Sequence, residues 1–157
     1  GVVSRMLVVD LVVHQGDGTA SIFANHPAVF TFSAHAAKNY PTDKAQSDLD
    51  VPLPDGLTET GYLTAVAAAL ARALAFGPEI IFYNAGVDPH AQDRLGRLSL
   101  SSDGLRQRDR MVFSAARSRN IPIAAAIGGG YDRDIKALAA RHCILFEEAA
   151  AARTEWS

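Results

Sequence analysis

The chain has 157 residues, 48% of them hydrophobic and 20% charged, a balance that suits one globular core and excludes a disordered segment. Its formal net charge is −2 with Lys and Arg dispersed, which excludes the basic stripe of a nucleic-acid-binding surface. A single cysteine, Cys143, excludes an internal disulfide and fits a reducing, cytoplasmic setting. No apolar stretch is long enough to span a bilayer, and the first residues lack a charged start with a cleavable apolar region, so neither a membrane partner nor a leader is expected.

In chain order, residues 6–13 form an apolar run that closes on Asp10, His14 and a Gly-Asp-Gly turn at Gly16-Asp17-Gly18. It reads as a buried parallel strand, on which alternation places Asp10, Val12 and His14 on one face. Such a strand needs neighbours and helices on both faces, so the chain is expected to begin partway through a larger domain. Residues 28–32 read as a second strand ending at Ser33-Ala34-His35. Residues 59–76 follow a helical period through Tyr62, Leu63, Val66, Leu70 and Leu74, with Thr58 as cap and Gly77-Pro78 as stop. A strand over 79–83 leads to Asn84-Ala85-Gly86-Val87-Asp88, and a helix covers 102–118. A strand over 121–127 leads to Gly128-Gly129-Gly130-Tyr131, and a helix follows over 132–141. The alanine runs suggest close packing. The alternation predicts a three-layer α/β fold, a mainly parallel sheet flanked by helices. Every strand delivers a polar or glycine-rich loop to one edge, the side on which ligands bind in open α/β sheets.

His14 and Asp93 are the best metal-ligand pair, because imidazole and carboxylate suit zinc. Taken alone, the spacing favours a hydrogen-bonded histidine and a loop aspartate. Asp10 and Asp17 are candidates to orient imidazoles, although Asp17 also fits a plain turn. The three glycines lack the Lys-Ser/Thr of a phosphate loop and the spacing of a dinucleotide fingerprint. They would let the backbone approach a ligand while Tyr131 offers a phenol to a developing oxyanion. Ser33 lacks a nucleophile elbow, and Cys143, beside Ile144, reads as an inert core thiol. His26, His35 and His142 read as structural or surface residues, and His90 lies in the loop before Asp93.

Together these segments resemble the histone deacetylase family of the arginase/deacetylase fold, most closely its class IV and bacterial members. The resemblance rests on Val9-Asp10-Leu11-x-x-His14-Gln15-Gly16-Asp17-Gly18-Thr19 and Phe30-Thr31-Phe32-Ser33-x-His35. It continues through Tyr83-Asn84-Ala85-Gly86-Val87-Asp88-Pro89-His90-x-x-Asp93-Arg94-Leu95-Gly96-Arg97-Leu98, Gly104-x-x-x-Arg108-Asp109 and Gly128-Gly129-Gly130-Tyr131. It implies that residues 1–157 are the C-terminal part of a single deacetylase-like domain. It also implies a zinc-dependent deacylase acting on acetyl-lysine or another acylated amine. His14 and Asp93 would ligate the metal and Tyr131 would stabilise the oxyanion. Asp10 and Asp17 would support a tandem histidine pair. Asp10, Ser33 and carbonyls near Val12 and His14 would resemble an inner potassium site.

Two departures matter. The family pattern Asp-x-Asp-x-His has Val12 in place of its middle acid, and Asp10 lies ~6.5 Å further back along an extended strand. The tandem histidines are absent from these residues. Zinc affinity and turnover should therefore both be low, and uncovered apolar surface should favour self-association into a homo-oligomer. The alternative reading is a degenerate, non-catalytic module that binds or oligomerises.

Overall fold

The computed structural model describes residues 3–154. Five parallel strands form one sheet in the order β3-β2-β1-β4-β5. The elements run β1 (Met6–Asp10), α1 (Asp17–Ile22), β2 (Val29–Ala36), β3 (Leu49–Leu53), α2 (Glu59–Leu74), β4 (Ile80–Ala85), α3 (Ser102–Arg117), β5 (Ile123–Ile127) and α4 (Ile135–Thr154). The expected flanking of a parallel sheet by helices holds. Among the described residues no helix is long and apolar enough to cross a membrane.

Register explains how the faces are divided. Leu7 pairs with Phe30 and Ile81, and Val9 with Phe32 and Tyr83, so these side chains share one face. There they meet Tyr62, Val66 and Leu70 of α2, Leu105 and Val112 of α3, and Ile144 and Leu145 of α4 in one core. The opposite face carries Val8, Thr31 and Phe82, then Asp10, Ser33 and Asn84 at the strand ends. Short α1 reaches only part of it, where Ala20 and Phe23 border a cavity with Thr31 and Asp48.

Five elements differ from the sequence reading. β2 runs on to Ala36, so Ser33-Ala34-His35 lie within the strand, paired with β3, and not in a loop after it. β1 stops at Asp10 rather than Val13, because carboxylates take the next amides: Asp10 Oδ1 accepts from Val12 N at 3.2 Å and Asp88 Oδ1 from Val13 N at 2.8 Å. Asp10, Val12 and His14 therefore do not continue one strand face. α1 grows from what read as a turn. β3 was missed because Asp50 and Pro52 are poor strand formers, although an edge strand accommodates them. α4 runs over twenty residues instead of 132–141 and presents Cys143 on an exposed side, so that thiol is not in the core.

Two buried ionisable groups hold the strand ends. Arg108 of α3 is fully buried. Its Nη1 donates to the carbonyl oxygens of Leu11 at 3.2 Å and Gly86 at 2.6 Å, and its Nε donates to Asp109 Oδ1 at 2.9 Å. The Tyr83 hydroxyl donates to the same Asp109 oxygen. Asp10, beneath the turn after β1, accepts from Val12 N and, at 3.1 Å, from Asn84 Nδ2. Burial pushes its carboxyl from 3.8 up to about 6, outweighing those two hydrogen bonds, and the nearby Asp88 adds to the rise.

Removing the guanidinium strands the Asp109 charge. Arg108→Met should cost about 3–5 kcal/mol of unfolding free energy in urea, with part recovered by Arg108→Met/Asp109→Leu. For Asp10 the raised folded value means that, between about pH 4 and 6, the fold retains a proton that the unfolded chain has released. Its stabilising contribution is complete below the unfolded value and is lost as pH rises through about 6, a change on the order of 3 kcal/mol. The stability of the wild type relative to Asp10→Asn should accordingly fall across that window in parallel urea titrations.

Candidate active site

An open cleft of about 450 Å³ lies at the C-terminal edge of the strands, lined by Val12, His14, Asp17, Asn84, Asp88 and Tyr131, with Tyr40 and Leu95 among its other lining residues. The turn after β1 supplies Val12 and His14, the segment after β4 supplies Asp88, and the glycine run after β5 supplies Tyr131. Three strand ends thus converge, as expected from their polar and glycine-rich endings.

His14 does not stand alone. Its Nδ1 lies 3.1 Å from Oδ2 of the fully buried Asp88. A carboxylate only accepts, so this pairing puts the imidazole proton on Nδ1 and turns Nε2 the other way, 3.5 Å from Asn39 Nδ2. Asp88 also receives Val13 N, so one carboxylate fixes both the imidazole and the backbone beside it. The ring of Tyr131 meets that of His14 edge-on, with centroids 5.8 Å apart. Burial, followed by the charges of Asp88 and Asp93, raises the Tyr131 phenol above its ordinary range, which keeps it a hydrogen-bond donor.

Glycine is required at two places here. A Cβ on Gly86 would fall 1.8 Å from Val12 Cγ1, and one on Gly129 would fall 2.1 Å from Asp88 Oδ2. The chain comes this close because Arg108 draws in the Gly86 carbonyl, and Val87 N donates to Gly129 O at 2.6 Å.

The other residues singled out from sequence lie around this centre. Asp17 lines the cleft in the first turn of α1. Asp10 sits below it, register partner of the buried Ser33, whose Oγ accepts from Gly16 N at 3.3 Å and lies 3.0 Å from His35 Nδ1. Asp93 holds the loop: its Oδ1 accepts from the amides of Leu95 and Gly96, both at 2.9 Å, and its Oδ2 from Tyr131 N at 2.7 Å. The carboxylate touching His14 is therefore that of Asp88. His90 turns towards Ser102, with 3.3 Å between Nε2 and Oγ. Arg141 of α4 braces the same loop by donating to Gln92 Oε1 at 2.6 Å. His26 is exposed, and His142 keeps a buried Nδ1 without a hydrogen-bond partner.

Sequence reasoning missed the pairing of Asp88 with His14, the role of Asn39 and the Arg108 clamp. Asp88 carried one signal, its place at the end of β4. Its partner lies 74 residues away, and no local spacing encodes that. Asn39 joins the cleft to the 95–97 loop by donating to Leu95 O at 2.7 Å and accepting from Arg97 N at 3.0 Å, contacts 56 and 58 residues apart in sequence.

As they stand these donors do not fit a tightly held zinc. Among the described residues, no three His, Cys, Asp or Glu side chains gather closely enough to hold a metal ion. Val12 offers no donor, Asp88 engages one nitrogen of His14, and backbone amides already occupy both Asp93 oxygens.

The profile of the histone deacetylase domain matches residues 1–146. An uncharacterized protein of Picosynechococcus is 48% identical over 150 residues, covering 95% of this chain and 50% of its own length. Histone deacetylase 2 of Arabidopsis thaliana is 37% identical over 133 residues, covering 82% of this chain and 34% of its own. The crystal structure of acetylpolyamine aminohydrolase from Burkholderia pseudomallei superposes with a TM-score of 0.82 at 24% identity, covering 96% of this chain and 46% of that one, a likeness of fold. The chain thus spans half or less of the length of these relatives. The converging strand ends, the His14–Asp88 pair and the glycine run before Tyr131 sit within the matched residues, and the chain belongs to the histone deacetylase family.

Proposed function

We propose that this chain carries one wall of a deacylase site for an acylated amine, such as acetyl-lysine in a peptide, and that by itself it hydrolyses that amide poorly or not at all. The observation carrying the reading is the placement of the Tyr131 phenol beside the buried-carboxylate-supported His14 in a cleft lined by Asp17 and Asp88. A phenol kept protonated is suited to donate to an amide oxygen as negative charge develops there. Asp88 holds the imidazole in one tautomer, and Tyr40 and Leu95 offer apolar surface to an acyl-amine chain.

Zinc belongs to the reading as the family's metal, with His14 and Asp93 as its ligands in the resemblance. Val12 and the engaged oxygens of Asp93 oppose its tight binding. Asp10 and Ser33, side by side on β1 and β2, are the place for a structural potassium ion, although protein groups already occupy both side chains. Asp10 and Asp17 are proposed to support the histidine pair that these residues lack. The likeness to class IV members and a cytoplasmic setting belong to the same proposal. Val12 also favours a second reading, in which the cleft binds an acylated amine without turning it over.

Val12→Asp tests the metal side. Aspartate is close to valine in volume, with its branch one carbon further along the side chain. Loss of an outer-shell partner alone weakens metal sites about 10–100-fold, so restoring an inner ligand should raise zinc affinity at least tenfold by competition with a chromophoric chelator. Turnover of an acetyl-lysine peptide should stay at background in both forms of the isolated chain. Hydrolysis by the unaltered, zinc-loaded chain would end the impaired reading, and Val12→Asp with no gain in zinc would remove the cleft as a metal site.

A further inference from the structure

Asp88 cannot turn away from the His14 ring. It is fully buried, one oxygen accepts from Val13 N at 2.8 Å, and the other lies 3.1 Å from His14 Nδ1. With the proton held on Nδ1, the lone pair of the imidazole sits on Nε2. Asn39 Nδ2 stands 3.5 Å from Nε2, at the limit of a hydrogen bond, and gives its shorter contact of 2.7 Å to Leu95 O. The His14 side chain keeps 21% of its surface open. Beside it Tyr131 is 41% exposed, and among the described residues its hydroxyl has no hydrogen-bond partner. A carboxylate, an imidazole with an available nitrogen and an unengaged phenol therefore share one open cleft. Neither Val12 nor the occupied oxygens of Asp93 weaken that set, although both oppose zinc.

We propose that Asp88, His14 and Tyr131 hydrolyse activated acyl esters, whose leaving group departs as a stable anion, by general-base attack of water and without a metal. His14 Nε2 takes a proton from water while the water oxygen bonds to the acyl carbon. The carbonyl electron pair moves onto its oxygen, which accepts a hydrogen bond from the Tyr131 hydroxyl. As that pair returns, the bond to the leaving oxygen breaks and an aryloxide departs with the bonding electrons. The imidazolium then gives its proton to the aryloxide or to solvent, leaving the free acid and the starting ring. His14 is the base, Tyr131 the oxyanion donor and Asp88 a positioning residue that holds the tautomer. An amide resists this route, because its carbonyl is less electrophilic and its nitrogen must be protonated to leave. The inference shares the acyl cleft of the deacylase reading but not its metal.

The test is hydrolysis of 4-nitrophenyl acetate by this chain in excess EDTA, against an equal concentration of 4-methylimidazole. Cys143→Ala removes the exposed thiol as a competing nucleophile, and neither Cys143 nor any other histidine lines the cleft. The rate should exceed that of the free imidazole about 100-fold, the lower end for a positioned general base. Tyr131→Phe removes one hydroxyl from an exposed side chain. It should leave the thermal midpoint unchanged and lower kcat roughly tenfold, less than in a closed site because this cleft is open to water. His14→Gln should bring the rate down to that of the free imidazole or below. The tautomer is read without turnover: in mildly alkaline buffer, the ring-nitrogen NMR signals of His14 should show Nδ1 protonated and Nε2 bare, and Asp88→Asn should shift the proton towards Nε2. Four results would overturn the proposal: a protonated Nε2 in the unaltered chain, a rate no greater than that of 4-methylimidazole, a rate that survives His14→Gln or Tyr131→Phe, or a rate that EDTA abolishes. The assay contains neither zinc nor an amide, so its failure leaves the deacylase reading to be decided by the zinc affinity of Val12→Asp.

Discussion

The Arg108 guanidinium reaches from α3 to the carbonyl oxygens of Leu11 and Gly86, so the ends of β1 and β4 hang from one planar set of donors. Those segments carry Val12 and His14 on one side and Asp88 on the other. A salt bridge to Asp109 balances the buried charge, and the guanidinium lies 6.0 Å from the centre of the Tyr83 ring. Burial opposes the charged form, yet the Asp109 carboxylate more than offsets it and the guanidinium stays ionised. Such an arrangement contributes more to geometry than to net stability, because removing the charges from water cancels much of their attraction. Here the geometry is the approach of Gly86 to Val12 and of Gly129 to Asp88.

The cleft built on this clamp is acidic, with Asp17 and Asp88 lining it, Asp10 beneath and His14 as the one basic side chain among its lining residues. Val12 stands among these acids. A third carboxylate in that slot would add repulsion unless a cation were present to relieve it. Valine keeps the shape of the slot and removes both the repulsion and the metal donor. Two carboxylates are held by protein groups: Asp88 by His14 and Val13, Asp93 by three backbone amides. Asp93 thus fixes the backbone at Tyr131, and Asp88 fixes the imaidazole that Tyr131 meets. The site is an ordered wall whose polar groups are largely satisfied from within the chain.

Much of this was legible in residue order because it follows from local chemistry. The apolar runs that became β1, β4 and β5, the helical period through Tyr62 and Val66, and the polar endings after each strand are properties of neighbouring residues. What escaped were elements whose local preference is weak. Pro52 hides an edge strand that a central position would forbid, and Gly16-Asp17-Gly18 hides the start of a short helix. The exposed side of α4 shows how Cys143, read within an apolar run, lies on the outside of a helix that buries Ile144 and Leu145.

By itself the sequence determined the parallel α/β class, the family, the edge of the sheet at which a site forms, and the presence of valine where a metal ligand would stand. These depend on periodicity, strand endings and residue identity, each readable within a few positions. Only the tertiary structure decided that His14 pairs with Asp88, that Asp93 holds a loop, that Arg108 draws two strand ends together and that β5 is left open. Those outcomes turn on contacts between residues tens of positions apart, where burial and register, not spacing along the chain, select the partner.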